Sequence, residues 1–242
     1  MSRLFTRLTF ALFTVALALV APSAHAEPVS PELMAKFAAY ADAWKAQLRR
    51  ASYHVEGKME ILDSDGDLKE TMEGAAQVDA QGDAPPKVTV LRYSEDGKDK
   101  LEEAKKDQKE GDERRRKKRE QGKELKMPIV ASVQGRYNFD QTEVSADGKR
   151  VKIVFTPKEP ADDTVEGSAW ADAEAGTVIS ASFKPSKTSM FVRYVHFTVE
   201  FGATTSLGPA VSKVTWDGEG GILFFSRRFR GFAVLSNYAI AP

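Results

Sequence analysis

The sequence contains no cysteine, and this absence excludes several kinds of scaffold and site. Without thiols the chain forms no disulfide, holds no metal through thiolates and has no cysteine nucleophile. Histidine is also scarce, with three in 242 residues and no pair at metal-ligand spacing. The 35 basic and 35 acidic residues balance, whereas nucleic-acid-binding domains are usually strongly basic. We therefore expect no metal, no cofactor and no nucleic-acid partner.

Long apolar runs are missing apart from one near the N-terminus. Two arginines precede the run Leu8–Val20, and Ala24-His25-Ala26 offers a cleavage site with small residues. This is the pattern of a secretory signal peptide, and the run is shorter than the roughly 18 residues that a membrane-spanning helix needs. We expect residues 1–26 to be a signal peptide and residues 27–242 to form a single domain. Export without disulfides suits a bacterial periplasm.

The next segment has the apolar spacing of a helix. Between Pro31 and Arg50, large apolar residues recur at intervals of three and four: Leu33, Phe37, Tyr40, Trp44 and Leu48. Ser30 stands where an N-cap is expected, with proline in the first turn. Because such apolar stripes usually pack against a core, we interpret this face as a packing surface rather than a ligand site.

After Ala51 the apolar period changes to two residues, as in a strand with one buried face. Residues 53–61 form the first such strand, and turn-forming residues separate the others, which we place at 68–78, 87–93, 136–142, 151–156, 165–171, 177–183, 191–201, 211–216 and 222–229. This pattern predicts a mainly β, α+β fold. Its strands form one antiparallel sheet, strongly curved, with the N-terminal helix covering the concave side.

Residues 95–126 interrupt this pattern, because 24 of these 32 residues are charged. Such a segment cannot bury a core of its own, so we expect a projecting charged insert that is helical or disordered. It contains a basic block: Arg114, Arg115, Arg116, Lys117, Lys118 and Arg119. Two interpretations stay open. The block is either a solvated face neutralised by nearby acids or a contact for an anionic partner such as lipid headgroups.

Motifs for catalysis are missing as well. His54 and His196 have no second histidine at a useful spacing, and no hydrolase, phosphate-binding or dinucleotide-binding motif occurs. The aspartates of residues 63–67 match the first three ligand positions of a calcium loop. However, Leu68 and Gly74 stand where that loop needs glycine and glutamate, so a tight turn explains them. We expect a protein that is not an enzyme, although paired carboxylates for sugar hydrolysis stay open.

Aromatic residues are abundant in the C-terminal half of the chain. They include Trp170, Trp216 and ten phenylalanines: Phe139, Phe155, Phe183, Phe191, Phe197, Phe201, Phe224, Phe225, Phe229 and Phe232. One helix is too small to cover the whole concave side of a curved sheet. Some of these side chains should therefore line a cavity, where a hydrophobic ligand gains about 25 cal/mol for each Å² of apolar surface that it buries.

Several stretches resemble the LolA-like family of outer-membrane lipoprotein-sorting proteins. They are Tyr53-x-Val55-x-Gly57-x-Met59, Tyr137-Asn138-Phe139, Val151-x-Ile153-x-Phe155-Thr156-Pro157, Val165–Asp172 and Gly176-Thr177-Val178-Ile179. The resemblance implies an unclosed half-barrel whose hydrophobic concave side is covered by helices and receives acyl chains. It also implies transport of a lipid or lipoprotein across the periplasm. The charged insert is unusual for that family.

We therefore expect a periplasmic carrier that binds the acyl chains of a lipid or lipoprotein, with only transient membrane contact. Strand parity predicts the residues that line its cavity: Val55, Met59, Met72, Val90, Phe139, Ile153, Phe155, Ile179, Phe183, Phe197 and Phe201. A single bulge would invert this parity. The alternative is a non-catalytic interaction or lipid-sensing regulatory module of the cell envelope that uses the charged insert to hold a protein partner.

Overall fold

The structure is a computed structural model that describes residues 27–82, 84–121, 125–188, 191–206, 208–222 and 225–240. The predicted signal peptide at residues 1–26 lies outside the described residues. The side chains of Arg115, Lys118 and Arg119 in the basic block also lie outside them.

The chain forms fourteen described strands and three described helices. The strands are β1 (Glu27–Pro28), β2 (Ala51–Leu62), β3 (Leu68–Gln81), β4 (Ala84–Glu95), β5 (Lys98–Asp99), β6 (Tyr137–Val144), β7 (Arg150–Pro157), β8 (Val165–Asp172), β9 (Val178–Pro185), β10 (Val192–Glu200), β11 (Ala203–Thr205), β12 (Gly208–Ala210), β13 (Lys213–Ile222) and β14 (Phe225–Ile240). The helices are α1 (Pro31–Leu48), α2 (Leu101–Glu120) and α3 (Ala131–Gln134).

Twelve of the strands build one antiparallel sheet, in the order β1-β6-β7-β8-β9-β10-β13-β14-β2-β3-β4-β5. Its two edges do not pair with each other, so the sheet is not closed into a barrel. Phe139 on β6 and Tyr53 on β2 line the same cavity although they are seven strand spacings apart. In a flat sheet that separation would be roughly 34 Å, so the sheet is strongly curved. The predicted fold class is confirmed.

Helix α1 covers part of the concave face. The predicted cap is present, since the Leu33 N–H donates a 3.2 Å hydrogen bond to the Ser30 hydroxyl. Leu33 and Phe37 are buried against Val151, Ile153 and Ala171 of β7 and β8. The helix therefore packs on the first half of the sheet, as its apolar stripe predicts.

The charged insert forms α2, which lies along the outer edge of β4. The Gln108 side chain donates a 2.7 Å hydrogen bond to the Val88 carbonyl of that strand. This contact helps to cover the open side of β4, one of the ways in which proteins protect the edge of a sheet. Among the described residues, no helix has the length and apolar composition required to cross a membrane.

We predicted one strand at residues 211–216 and a separate strand at residues 222–229, and the break between them is wrong. The glycine-rich stretch after Trp216 continues β13 as far as Ile222, and β14 extends to Ile240. Aromatic rings occupy the space beside one glycine of β13 and one of β14. A Cβ at Gly218 would lie 2.3 Å from the Phe229 ring, and one at Gly231 would lie 2.7 Å from the Trp216 indole. The glycines here make room for packing rather than turns.

Candidate functional site

The concave face encloses a cavity of about 340 Å³ beneath helix α1, partly open to solvent. Strands from both halves of the sheet, α1 and residues 127–129 contribute to its wall. Most of the large side chains in the wall are aromatic: Phe37, Trp44, Tyr53, Phe139, Phe155, Phe183, Phe201 and Tyr238. None of the described lining residues carries a formal charge. The cavity therefore suits an apolar ligand.

The centre of the cavity floor is built from small side chains. Ala169 on β8 pairs with Ala181 on β9, and Ala181 pairs with Val199 on β10. Paired residues of antiparallel strands present their side chains on the same face of the sheet. Aromatic residues flank this row, with Phe183 beside Ala181 along the same strand. The short side chains leave the space that the surrounding rings enclose.

Residues 127–129 form one wall of the cavity and are held by an ionic clamp. Arg136 donates hydrogen bonds of 2.8 and 2.7 Å to the Asp163 carboxylate, and the Lys126 ammonium donates another of 2.8 Å. The Lys126 backbone N–H also donates to the Asp163 carbonyl at 2.9 Å. The hydrogen bonds from Arg136 and then Lys126 hold the pKa of Asp163 well below its usual range. Asp163 thus fixes the chain directly before the wall segment.

The few polar atoms around the cavity are poorly suited to acid–base chemistry. Tyr53 and Tyr238 stack with ring centroids 5.1 Å apart, and the Tyr238 hydroxyl donates a 2.7 Å hydrogen bond to the Val211 carbonyl. Burial raises the pKa of both phenols. Burial also raises the pKa of Tyr40, to about 12, and its hydroxyl has no hydrogen-bond partner. These phenols stay protonated at neutral pH.

The structure brings together five of the eleven predicted lining residues on the wall of this cavity: Phe139, Ile153, Phe155, Phe183 and Phe201. Phe197 lies on the same face but belongs to the adjoining core, where its ring stacks on Phe183 at 5.7 Å. Ile179 does not line the cavity. The register passes from Trp170 opposite Ser180 to Ala171 opposite Val178, so Ile179 is the extra residue of a bulge, and Val178 lies on the wall instead.

The other four predicted residues line a separate depression on the same face: Val55, Met59, Met72 and Val90. We call this depression the trough. Its floor is the directly paired Gly57 and Gly74, and the Trp216 and Tyr93 side chains stand at its sides. Val55 pairs with Leu235, which lines the main cavity. These four residues therefore share the concave face with the main cavity but line the trough.

Sequence reasoning missed many residues of the main cavity, including the floor residues Ala169, Ala181 and Val199. Phe37, Trp44 and Leu48 of α1 line it, although we interpreted the helical stripe as packing surface alone. Residues 127–129 line it too, and Leu235 and Tyr238 come from a part of β14 beyond the predicted strand. Proline at position 128, between two apolar residues and directly after the charged insert, was the available signal for the wall segment.

The basic block lies at the C-terminal end of α2. Arg114, Arg116 and Lys117 are exposed, and Arg114 faces Glu110 at 4.0 Å, one turn earlier. Basic residues near a helix C-terminus interact favourably with the helix dipole. The described side chains of the block therefore form an exposed basic end of α2.

On the outer face of the sheet, Ser182, His196 and Asp217 lie next to one another although they are far apart in the sequence. The Ser182 hydroxyl lies 3.0 Å from Nε2 of His196, and Nδ1 of His196 lies 3.7 Å from the Asp217 carboxylate. The second distance exceeds a hydrogen bond, so the imidazole is not oriented as in a hydrolytic triad. Ser182 is also paired with Ser168 and Thr198 in the middle of the sheet, where backbone N–H groups serve the strand ladder.

In the described part of the chain, no three His, Asp or Glu side chains lie close enough together to hold a metal ion. The uncharged lining of the cavity on the concave face is suited to the burial of apolar groups.

Comparisons with known proteins give matches among solved structures only. No family model matches the chain, and no curated protein matches it. The chain is similar to a LolA superfamily protein from Nitrosomonas europaea, with 8% sequence identity and a TM-score of 0.30, over 87% of this chain and 93% of that chain. It is also similar to MucB in its complex with MucA(peri), with 10% identity and a TM-score of 0.23, over 87% of this chain and 99% of that chain.

Proposed function

We propose that this protein binds and carries the acyl chains of a lipid or lipoprotein in the periplasm. The observation that supports the proposal is the cavity of about 340 Å³ on the concave face, whose described lining residues carry no formal charge. An acyl chain gains about 0.8 kcal/mol for each methylene that it buries. A charged headgroup or a peptide would stay outside, where water solvates it. The secretory pattern of residues 1–26 supports the periplasmic location.

We further propose that the protein performs no bond-making or bond-breaking step. The phenols beside the cavity have raised pKa values, and the Ser182, His196 and Asp217 group lies on the opposite face of the sheet from the cavity. A carrier needs neither a nucleophile nor a base. Its ligand is released when apolar contacts with the cavity wall are exchanged for apolar contacts elsewhere. Sorting of outer-membrane lipoproteins is the specific form of this function that the sequence resemblance suggests.

The test is to purify the mature protein without detergent and to identify extracted lipid by mass spectrometry. A titration with a fluorescent fatty acid, competed by unlabelled fatty acids of increasing length, measures the cavity directly. We expect saturable binding that strengthens with chain length until the cavity is full. Absence of both copurified lipid and saturable fatty-acid binding would refute the proposal.

A further inference from the structure

Two of the most exposed apolar side chains lie at the same end of the sheet. Leu68 begins β3 and is 56% exposed, and Phe191, directly before β10, is 51% exposed. The strand pairing at this end places one residue from each strand between β3 and β10 in a single row across the sheet. Leu68 pairs with Leu62, Leu62 with Arg228, Arg228 with Glu219, and Glu219 with Tyr194. Apolar side chains left in water at one place indicate a binding surface.

Arginines border these apolar side chains. Arg193 is the extra residue of a bulge in β10, and it forms an ion pair with Glu219. Arg228 lies 3.4 Å from the other carboxylate oxygen of Glu219. Glu219 is largely buried, while both arginine side chains stay more than half exposed. One buried carboxylate thus holds two guanidinium groups in place and leaves donors of each free for an anion.

Arg227, which precedes Arg228 in β14 and faces the concave side of the sheet, adds a further exposed cation at this end. Besides Glu219, the acidic residues of the turn at residues 63–67 lie at this end, on the Leu68 side. Lys69 binds one of them, Asp63, at 2.8 Å. The β10 and β14 side therefore carries an excess of positive charge. We call Leu68, Phe191, Arg193, Tyr194, Arg227 and Arg228 together the arginine rim.

The trough connects the main cavity with this end of the sheet. It begins at Val55, beside Leu235 of the cavity wall, and continues along β2 to Met59. Beyond Met59 the same face continues with Ile61, which pairs with Phe229, and Arg227 lies two positions before Phe229 on β14. An apolar chain leaving the cavity along this face would reach the end of the sheet beside Arg227, whereas the side chains of Leu62 and Arg228 face the other side.

We propose that the arginine rim docks this protein on an anionic phospholipid bilayer. The exposed leucine and aromatic side chains enter the interface, where amphipathic rings are favoured, and the arginines bind lipid phosphates. This inference rests on the proposed function in one respect, since the trough matters only if acyl chains are the cargo. Docking places the mouth of the trough against the membrane that supplies or receives the chain.

The experiment is co-sedimentation of the mature protein with phosphatidylethanolamine vesicles that contain or lack phosphatidylglycerol. Leu68→Ser with Phe191→Ser removes the apolar part of the arginine rim. Arg227→Glu reverses an exposed charge without leaving buried Glu219 unpaired. We expect each change to weaken binding to phosphatidylglycerol vesicles about tenfold. Circular dichroism checks that every variant stays folded.

Matched controls come from the same chain. Leu91→Ser with Val144→Ser changes two side chains of similar exposure, 49% and 53%, at other places. Arg114→Glu with Lys117→Glu changes the exposed basic block of α2. Both control variants should bind vesicles like the unaltered protein. Equal binding to vesicles without phosphatidylglycerol, no vesicle binding, or loss only in the α2 variant would overturn the inference.

Fatty-acid affinity measured without vesicles separates this inference from the proposed function. Variants of the arginine rim should keep the affinity of the unaltered protein, because none of the changed residues lines the main cavity. If the unaltered protein binds fatty acids but not vesicles, docking alone is refuted. If it binds anionic vesicles but no fatty acid, the carrier function alone is refuted.

Discussion

Filling the floor of the cavity should abolish ligand binding while leaving the fold intact. Ala181 lies at the centre of the floor, between Ala169 and Val199 on the neighbouring strands. At about 30 Å³ for each water-sized group, 340 Å³ holds roughly eleven methylenes. The Ala181→Phe variant adds a six-carbon ring, which fills about half of the space that these methylenes need. At about 0.8 kcal/mol for each methylene displaced, acyl binding loses roughly 5 kcal/mol, or more than a thousandfold in affinity.

The assay is displacement of a fluorescent fatty acid, together with thermal unfolding followed by circular dichroism. The new ring enters existing space, so we expect the melting temperature to stay the same or to rise. Ser180→Phe is the matched control, because the neighbouring side chain of β9 faces away from the cavity and ligand affinity should not change. A folded Ala181→Phe protein that binds fatty acid like the unaltered protein would show that this cavity is not the binding site.

Three further predictions concern the clamp, the sheet edge and the outer face. Asp163→Asn removes a charge held by Arg136 and should lower stability by about 2 kcal/mol, or roughly 5 °C in Tm. Because the pKa of Asp163 is depressed in the folded state, its stabilisation is complete above about pH 4 and is lost as pH falls below that. Acid titration of the unaltered protein should therefore show a loss of Tm that Asp163→Asn lacks, and parallel curves would contradict this reasoning. Gln108→Ala uncovers the Val88 carbonyl and should increase concentration-dependent light scattering, whereas an unchanged signal would mean that α2 does not protect the edge. Ser182→Ala should hydrolyse p-nitrophenyl butyrate at the same background rate as the unaltered protein, and a rate that depends on this serine would revive an enzymatic function.

The fold was predictable because residue alternation reports which face of a strand is buried. Tyr53, Val55 and Met59 alternate with polar residues, and all three lie on the concave face. The order of strands was not predictable. The pairing of β2 with β14 joins residues such as Glu60 and Arg230, and no local pattern encodes a contact across 170 positions.

The candidate site was predictable only in part, for two physical reasons. An extra residue in a strand shifts the faces without changing its composition, so alternation alone assigned Ile179 to the wall that Val178 occupies. In addition, the same types of apolar residue form the packed core and the lining of the cavity. Phe37 does both, since it packs on Ile153 and borders the cavity. Only the distribution of empty space distinguishes the two roles.

The unpaired edges of the sheet have a consequence for the size of cargo that the protein can accept. In a closed barrel, widening the lumen requires ladder hydrogen bonds to break or shift in register. Here β1 and β6 at one margin are not tied to β4 and β5 at the other, so the curvature can relax through small changes of twist at each strand pair. Under the proposed carrier function, elastic opening of the sheet would admit thicker or branched hydrocarbon chains with little loss of backbone hydrogen bonding.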